Sequence, residues 1–180
     1  MEKYKSSLNG FTLVELMVVI ALIGILAMIL NAALKPDEIL KKSRDTVRIS
    51  DLQSLRKSIE LAQSDGKTFD TSRCSAASPC DSLTGTRSSG GSGYVNVDIS
   101  KYLNTLPADP LFSKNTFTDG KGVTVNASYQ FATDGTDFEI RGHLESSVNT
   151  NSAAGEDRYT TDGGCRNDWY EVGTNLCLLN

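Results

Sequence analysis

Only one histidine, His143, and one tryptophan, Trp169, occur in 180 residues. His143 sits in a strand-like stretch and reads as a surface or edge residue rather than a general base. No G-x-S-x-G elbow and no Walker loop is present. The cysteines stand as C-x5-C (Cys74, Cys80) and C-x11-C (Cys165, Cys177), without the paired short knuckles of a zinc site. EF-hand spacing is absent too. The chain is therefore not expected to be an enzyme. A basic excess is also lacking: formal net charge is −4, and without Met1 to Gly10 the balance is 16 basic against 21 acidic residues. A domain of that sign is not a general nucleic-acid binder, which needs a basic face.

Charge is scarcest between Phe11 and Leu30, where 20 residues carry one acid, Glu15, and one hydroxyl, Thr12. At ~1.5 Å per residue a helix of that length spans roughly 30 Å, the thickness of a bilayer's hydrocarbon. The run is apolar all round, so it is no amphipathic surface helix. No A-x-A cleavage pattern follows it before Leu34, as a conventional secretory signal would require. Gly10 and a polar leader with Lys3 and Lys5 precede it. A cut at Gly10 would leave the apolar run on the mature chain. The two lysines would mark the cytoplasmic flank, although Lys35, Lys41, Lys42 and Arg44 lie on the far side.

The string Gly10-Phe11-Thr12-Leu13-Val14-Glu15-Leu16, followed by this run, resembles the class III signal segment of type IV pilins and type II secretion pseudopilins. The resemblance covers about the first thirty residues. It implies cleavage by a prepilin peptidase between Gly10 and Phe11, and methylation of the new Phe11 amine. It implies that Glu15 of one subunit pairs with the amine of a neighbour during assembly. A carboxylate inside a membrane is tolerated when paired, and such a pair would fix subunit register. The helix of related filaments can unwind between a glycine, here Gly24, and a downstream proline. That proline's usual position holds Ala32, so a break is expected nearer Pro36, which disfavours helix at Lys35.

The expected fold is α+β, a pilin-like lollipop. A leader (1–10) precedes the apolar membrane and assembly half of a long helix (11–34). An amphipathic half (35–65) packs on a small antiparallel β head (66–180). Leu52, Leu55, Ile59 and Ala62 follow helical spacing, with Val47 upstream. Lys41, Arg44, Asp45, Arg48, Asp51, Arg56, Lys57 and Glu60 fill the other faces. Residues 66–93 and 145–164 read as long polar loops. Strands are expected over 94–99, 123–131 and 138–144, the last two forming a hairpin about Asp134-Gly135. A closing pair is expected over 169–172 and 176–179. Between 94–99 and 123–131, Leu106-Pro107-Ala108-Asp109-Pro110 resembles the connector of pseudopilins and many Gram-positive-type pilins.

Four cysteines outside the apolar run suit an exported, disulfide-bearing domain. They allow three pairings, and spacing does not choose among them. The pilin resemblance, with its C-terminal disulfide loop, implies Cys165–Cys177, with Cys74–Cys80 as the other bond. Major pseudopilins commonly carry calcium in the head, and Asp134, Asp137, Glu156, Asp157, Asp162 and Asp168 lie in glycine-containing loops. The same acids suit turns, and no other cofactor is expected.

The resemblance implies a structural subunit of a type IV pilus-like filament. It would wait in the cytoplasmic membrane with its C-terminal domain outside, then assemble into an extracellular homo-oligomer. Implied partners are the peptidase, an inner-membrane platform with its ATPase motor, and minor pilins. Implied roles are adhesion, motility or DNA uptake. One alternative is the major pseudopilin of a type II secretion piston. A second is a membrane-anchored binding domain that never polymerises, which would leave Glu15 without a partner.

Overall fold

A computed structural model describes residues 10–180, with the side chains of residues 31–34 left aside. The leader residues Met1–Asn9, including Lys3 and Lys5, lie outside the described residues. The chain divides into two units, Met1–Ile39 and Leu40–Asn180.

The first unit is built on helix α1, Leu13–Leu34. Thr12 caps it with extended backbone, and its side chain accepts from the Glu15 amide. Gly24 does not interrupt it, although glycine is a poor helix former in water. It ends at Lys35, whose φ of 42° and ψ of 67° are left-handed. Helix α2, Pro36–Ser64, starts at the next residue. Proline fits a first helical position because the amide it lacks would have no partner there. It also pushes the preceding residue out of helical geometry, so the break falls at Lys35 rather than at Gly24.

The second unit packs α2 on a mixed collection of strands, which makes the chain α+β. One sheet is antiparallel, in the order β1 (Cys80–Asp81), β4 (Tyr129–Thr133), β5 (Phe138–Gly142) and β6 (Tyr170–Gly173). A second pairs β2 (Thr116–Thr118) with β3 (Thr124–Asn126). In the hairpin Phe131 faces Ile140 and Thr133 faces Phe138. Leu52, Leu55, Ile59 and Ala62 of α2 join Phe131, Phe138, Ile140 and Val172 of the sheet in one core. The helical spacing of those α2 residues is thus the seam of the unit.

Several expectations change. The run 123–131 is not one strand. Ala127 and Ser128 part it, because the Ala127 amide donates to Asn115 O and Ser128 Oγ to Asp81 Oδ2. β3 therefore pairs with β2, a strand the sequence reading missed. Residues 94–99 form no strand. Tyr94, Val95, Val97 and Ile99 are all buried, and Asn96 Nδ2 donates to the carbonyls of Asp70 and Arg73. Residues 176–179 form a turn beside β6 rather than a partner strand. The polar stretch 145–164 holds two short helices, α3 (Ser147–Thr150) and α4 (Arg158–Thr161). Val47 is 47% exposed, and Asp45 and Arg48 are buried in its stead.

Candidate functional site

The first site is the junction ahead of α1. Gly10, Phe11 and Thr12 are non-helical and exposed. The Phe11 side chain is 93% exposed, and a Cβ built on Gly10 would meet nothing within 4 Å. Exposed, non-helical chain is what a peptidase can bind. Three residues into α1, Glu15 turns back on the cap. The Thr12 amide and Oγ1 both donate to Glu15 Oε2, at 2.9 and 2.8 Å. The Glu15 amide donates to Thr12 Oγ1 at 3.2 Å. This is a capping box, in which two otherwise orphaned helix-start donors are satisfied reciprocally. Its signal, Thr-x-x-Glu ahead of an apolar run, was legible at Thr12 and passed unread. Both carboxylate bonds go to Oε2, and among the described residues Oε1 takes none.

Beyond the box, every side chain from Leu13 to Leu30 is exposed within this structure. The helix is long and apolar enough to cross a membrane.

The second site is ionic and lies in the head. The sequence reading placed Arg44, Asp45 and Arg48 on solvated faces of α2; Asp45 and Arg48 are 0% exposed and Arg44 is half-buried. Arg48 Nε and Nη2 donate to Asp109 Oδ2 and Oδ1 at 2.7 and 3.0 Å, a bidentate pair. Its Nη1 reaches Asp45 Oδ1 at 2.9 Å. The Phe117 ring lies 4.2 Å beneath the guanidinium. Asp45 also accepts from the amides of Glu145 and Ser146 and from Asn149 Nδ2. Arg44 closes the cluster through two bonds to Glu145, at 2.7 and 2.6 Å. Burial works against the Arg48 charge, but Asp109 and Asp45 outweigh it and hold the guanidinium ionised. Against its own burial, Glu145 is held below the usual carboxylate range by Arg44. The connector 106–110 thereby gains a role, since its Asp109 fixes Arg48.

The disulfides link Cys74 to Cys80 and Cys165 to Cys177, with Cα separations of 4.7 and 5.2 Å. Cys74 takes a left-handed φ of 58°, and Cys80 begins edge strand β1. Five of the six acids considered for calcium make local contacts through their carboxylates, Asp137 being the exception. Asp134 Oδ1 accepts from the Thr136 and Asp137 amides in the β4–β5 turn. Asp137 serves that turn through its carbonyl, which accepts from Thr133 Oγ1. Asp157 caps α4 through the Tyr159 amide. Asp162 accepts from the Gly164 and Glu171 amides. Glu156 pairs with Arg158, and Asp168 with Arg166. Among the described residues no group of three His, Cys, Asp or Glu is arranged to hold a metal ion.

His143 is a correction. It is buried, with its ring 3.6 Å from that of Trp169. Burial lowers its pKa to about 4, so at neutral pH it is an uncharged imidazole packed as an aromatic.

An apolar, capped N-terminal helix and an α+β unit with two disulfides are what the described residues show. Residues 6–31 match the prokaryotic N-terminal methylation motif. That motif is the class III signal peptide typical of type IV pilins and pseudopilins, and it supports a membrane-anchored precursor of that type. No curated protein and no solved structure matches the chain.

Proposed function

We propose that this chain is the structural subunit of a type IV pilus-like extracellular filament, cut after Gly10 and N-methylated on Phe11. The observation that carries the reading is the junction itself. An accessible Gly10-Phe11 bond leads directly into a fully apolar helix whose only acid is held at its first turn. The methylation motif accompanies structural rather than catalytic proteins. A precursor would rest in the membrane on α1, then move that helix into a bundle core. Both environments are dry, so assembly preserves the burial of its apolar surface. The capping box holds Glu15 by one oxygen and presents Oε1 to the Phe11 amine of a neighbour. Such a pair inside a bundle would set axial register. The peptidase, a membrane platform with its motor, and minor pilins are the partners this reading requires. Adhesion, motility or DNA uptake are the roles it would serve.

The alternative is a pseudopilin of a type II secretion piston, favoured by the LPADP connector and its Asp109–Arg48 pair. Intact mass of protein sheared from the cell surface separates the readings, measured with and without reductant. The expected mass is that of Phe11–Asn180 plus one methyl group, less four hydrogens before reduction. A processed chain absent from the sheared fraction favours the piston. A full-length chain confined to membranes overturns both and leaves an anchored domain.

A further inference from the structure

The sheet face turned away from the core is charged and yet buried. Phe138, Ile140 and Val172 point into the core, so the alternating Glu139, Arg141 and Glu171 point outward. All three are less than a tenth exposed, Glu139 at 0% and Glu171 at 2%. Register sets Arg141 opposite Glu171 and Glu139 opposite Gly173. The C-terminal segment covers them mainly through polar contacts. Glu139 Oε2 accepts from the Leu179 amide at 2.9 Å, and Glu171 Oε2 from the Arg166 amide at 3.1 Å. Those amides lie on either side of β6, and one glutamate holds each.

Each glutamate also has a second oxygen, Oε1, that is buried without a donor. Glu139 and Glu171 stand at diagonal positions on the same face of neighbouring strands, where long side chains reach each other. Two ionised carboxylates that close, in a buried site, repel strongly. One proton between them turns two orphaned acceptors into a donor and an acceptor.

We propose that a protonated Glu171 carboxyl donates to Glu139, forming an acid clasp that holds the chain on either side of β6, at Arg166 and Leu179, against the outer face of the sheet and opens as pH rises. The inference rests on the head alone and holds whichever filament, if any, the chain builds. Among the described residues no cation is in ion-pair contact with either glutamate, although Arg141 and Arg166 act on both at longer range. Arg141 is committed to Gln130 Oε1, Leu179 O and the Trp169 ring. Arg166 is paired with Asp168. Asp162 is a further nearby acid, whose carboxylate accepts from the Glu171 amide. His143, beyond Trp169, is neutral at neutral pH. Burial first, and then Glu139, push the Glu171 carboxyl up to about 8. A carboxyl raised above its ordinary value of 4.5 supports docking fully below that pH. Its support is lost progressively as pH climbs to about 8.

Trp169 is the only tryptophan and stacks within the covered region, so its fluorescence reports docking. The full chain in detergent micelles with chelator present is titrated from about pH 5.5 to about pH 9.5, below the tyrosine and lysine ranges. The expected result is one transition with its midpoint below about pH 8, absent in Glu171→Gln, with helix content unchanged by circular dichroism. No transition in the unmodified chain, or the same transition in Glu171→Gln, overturns the clasp. A midpoint that moves when millimolar calcium replaces chelator also overturns it, because a cation would then join the carboxylates. If Glu171→Gln does not fold, amide exchange at Arg166 and Leu179 in the unmodified chain decides. Protection lost across the same midpoint, after correction for base catalysis, supports the clasp; protection kept through about pH 9 overturns it.

Discussion

Helix α1 and the head invert one another. The helix leaves its apolar side chains uncovered, with a single acid at its start. The head buries charged side chains, with Arg48, Asp45 and Glu139 at 0% exposure. The helix is complete only in surroundings that something else supplies, a bilayer or neighbouring helices. The head supplies its own surroundings, down to partners for Arg48 and Asp45. A change in the head should therefore register as lost stability of the isolated chain, and a change in the helix as lost insertion or assembly.

The largest break in that contrast is expected at Arg48. Arg48→Ala leaves Asp45 and Asp109 buried without their cation, which should cost about 3–5 kcal/mol. Urea unfolding followed by Trp169 emission checks it. Adding Asp109→Leu to Arg48→Met should recover only the Asp109 share of the loss, because Asp45 stays buried without its cation. A single mutant within about 0.5 kcal/mol of wild type would mean that water already reaches the cluster.

The disulfides rank next. Removing Cys165–Cys177, a closure of 12 residues, should cost roughly 3 kcal/mol, and Cys74–Cys80, a closure of 6, nearer 2 kcal/mol. The paired Cys→Ser variants, compared by urea midpoint, give the order. The reverse order would show that the first loop's packing beside Tyr94 outweighs its short span.

A smaller effect, and one that sharpens the contrast, concerns His143. Its pKa is lowered on folding, so the folded state prefers the neutral ring. Stability is then intact above the ordinary value of 6.5 and falls as pH drops toward about 4. The loss should be on the order of 1–3 kcal/mol. Glu171 works in the opposite direction over part of that range, gaining as pH falls from about 8 to 4.5. His143→Phe keeps a ring against Trp169 and removes the titration. Its urea midpoint should move upward between pH 7 and pH 4.5 relative to wild type, by the loss just given.

What could be read from the chain follows the same division. Phe11–Leu30 was legible because its surroundings are uniform and composition alone describes them. The core seam of α2 was legible because Leu52, Leu55, Ile59 and Ala62 answer to one period. Asp45 and Arg48 were misplaced because helical periodicity sorts by polarity, whereas their burial depends on Asp109 and Glu145, 61 and 97 residues from Arg48. The hairpin was found from its turn. The division at Ala127–Ser128 was not, because it depends on Asn115 and Asp81. Glu139 and Glu171 alternate with core residues along β5 and β6, and the C-terminal segment reaches them only through the folded chain.

The smallest effect is expected at the cap. Thr12→Ala deletes the hydroxyl that accepts from the Glu15 amide and donates to its carboxylate, while the Thr12 backbone bond to Oε2 can survive. Amide exchange at Val14 and Glu15 in micelles should quicken by roughly fivefold, the effect of one lost cap. The head's urea midpoint should stay where it was. On the proposed reading, Glu15→Ala reaches further than Thr12→Ala. It removes the carboxylate offered to a neighbouring amine, so filament yield should collapse while insertion and head stability persist. If Thr12→Ala alone abolished filaments as completely, the box itself, rather than the free Oε1, would be what assembly needs. The carboxylate would then have to reach the neighbour already oriented by Thr12.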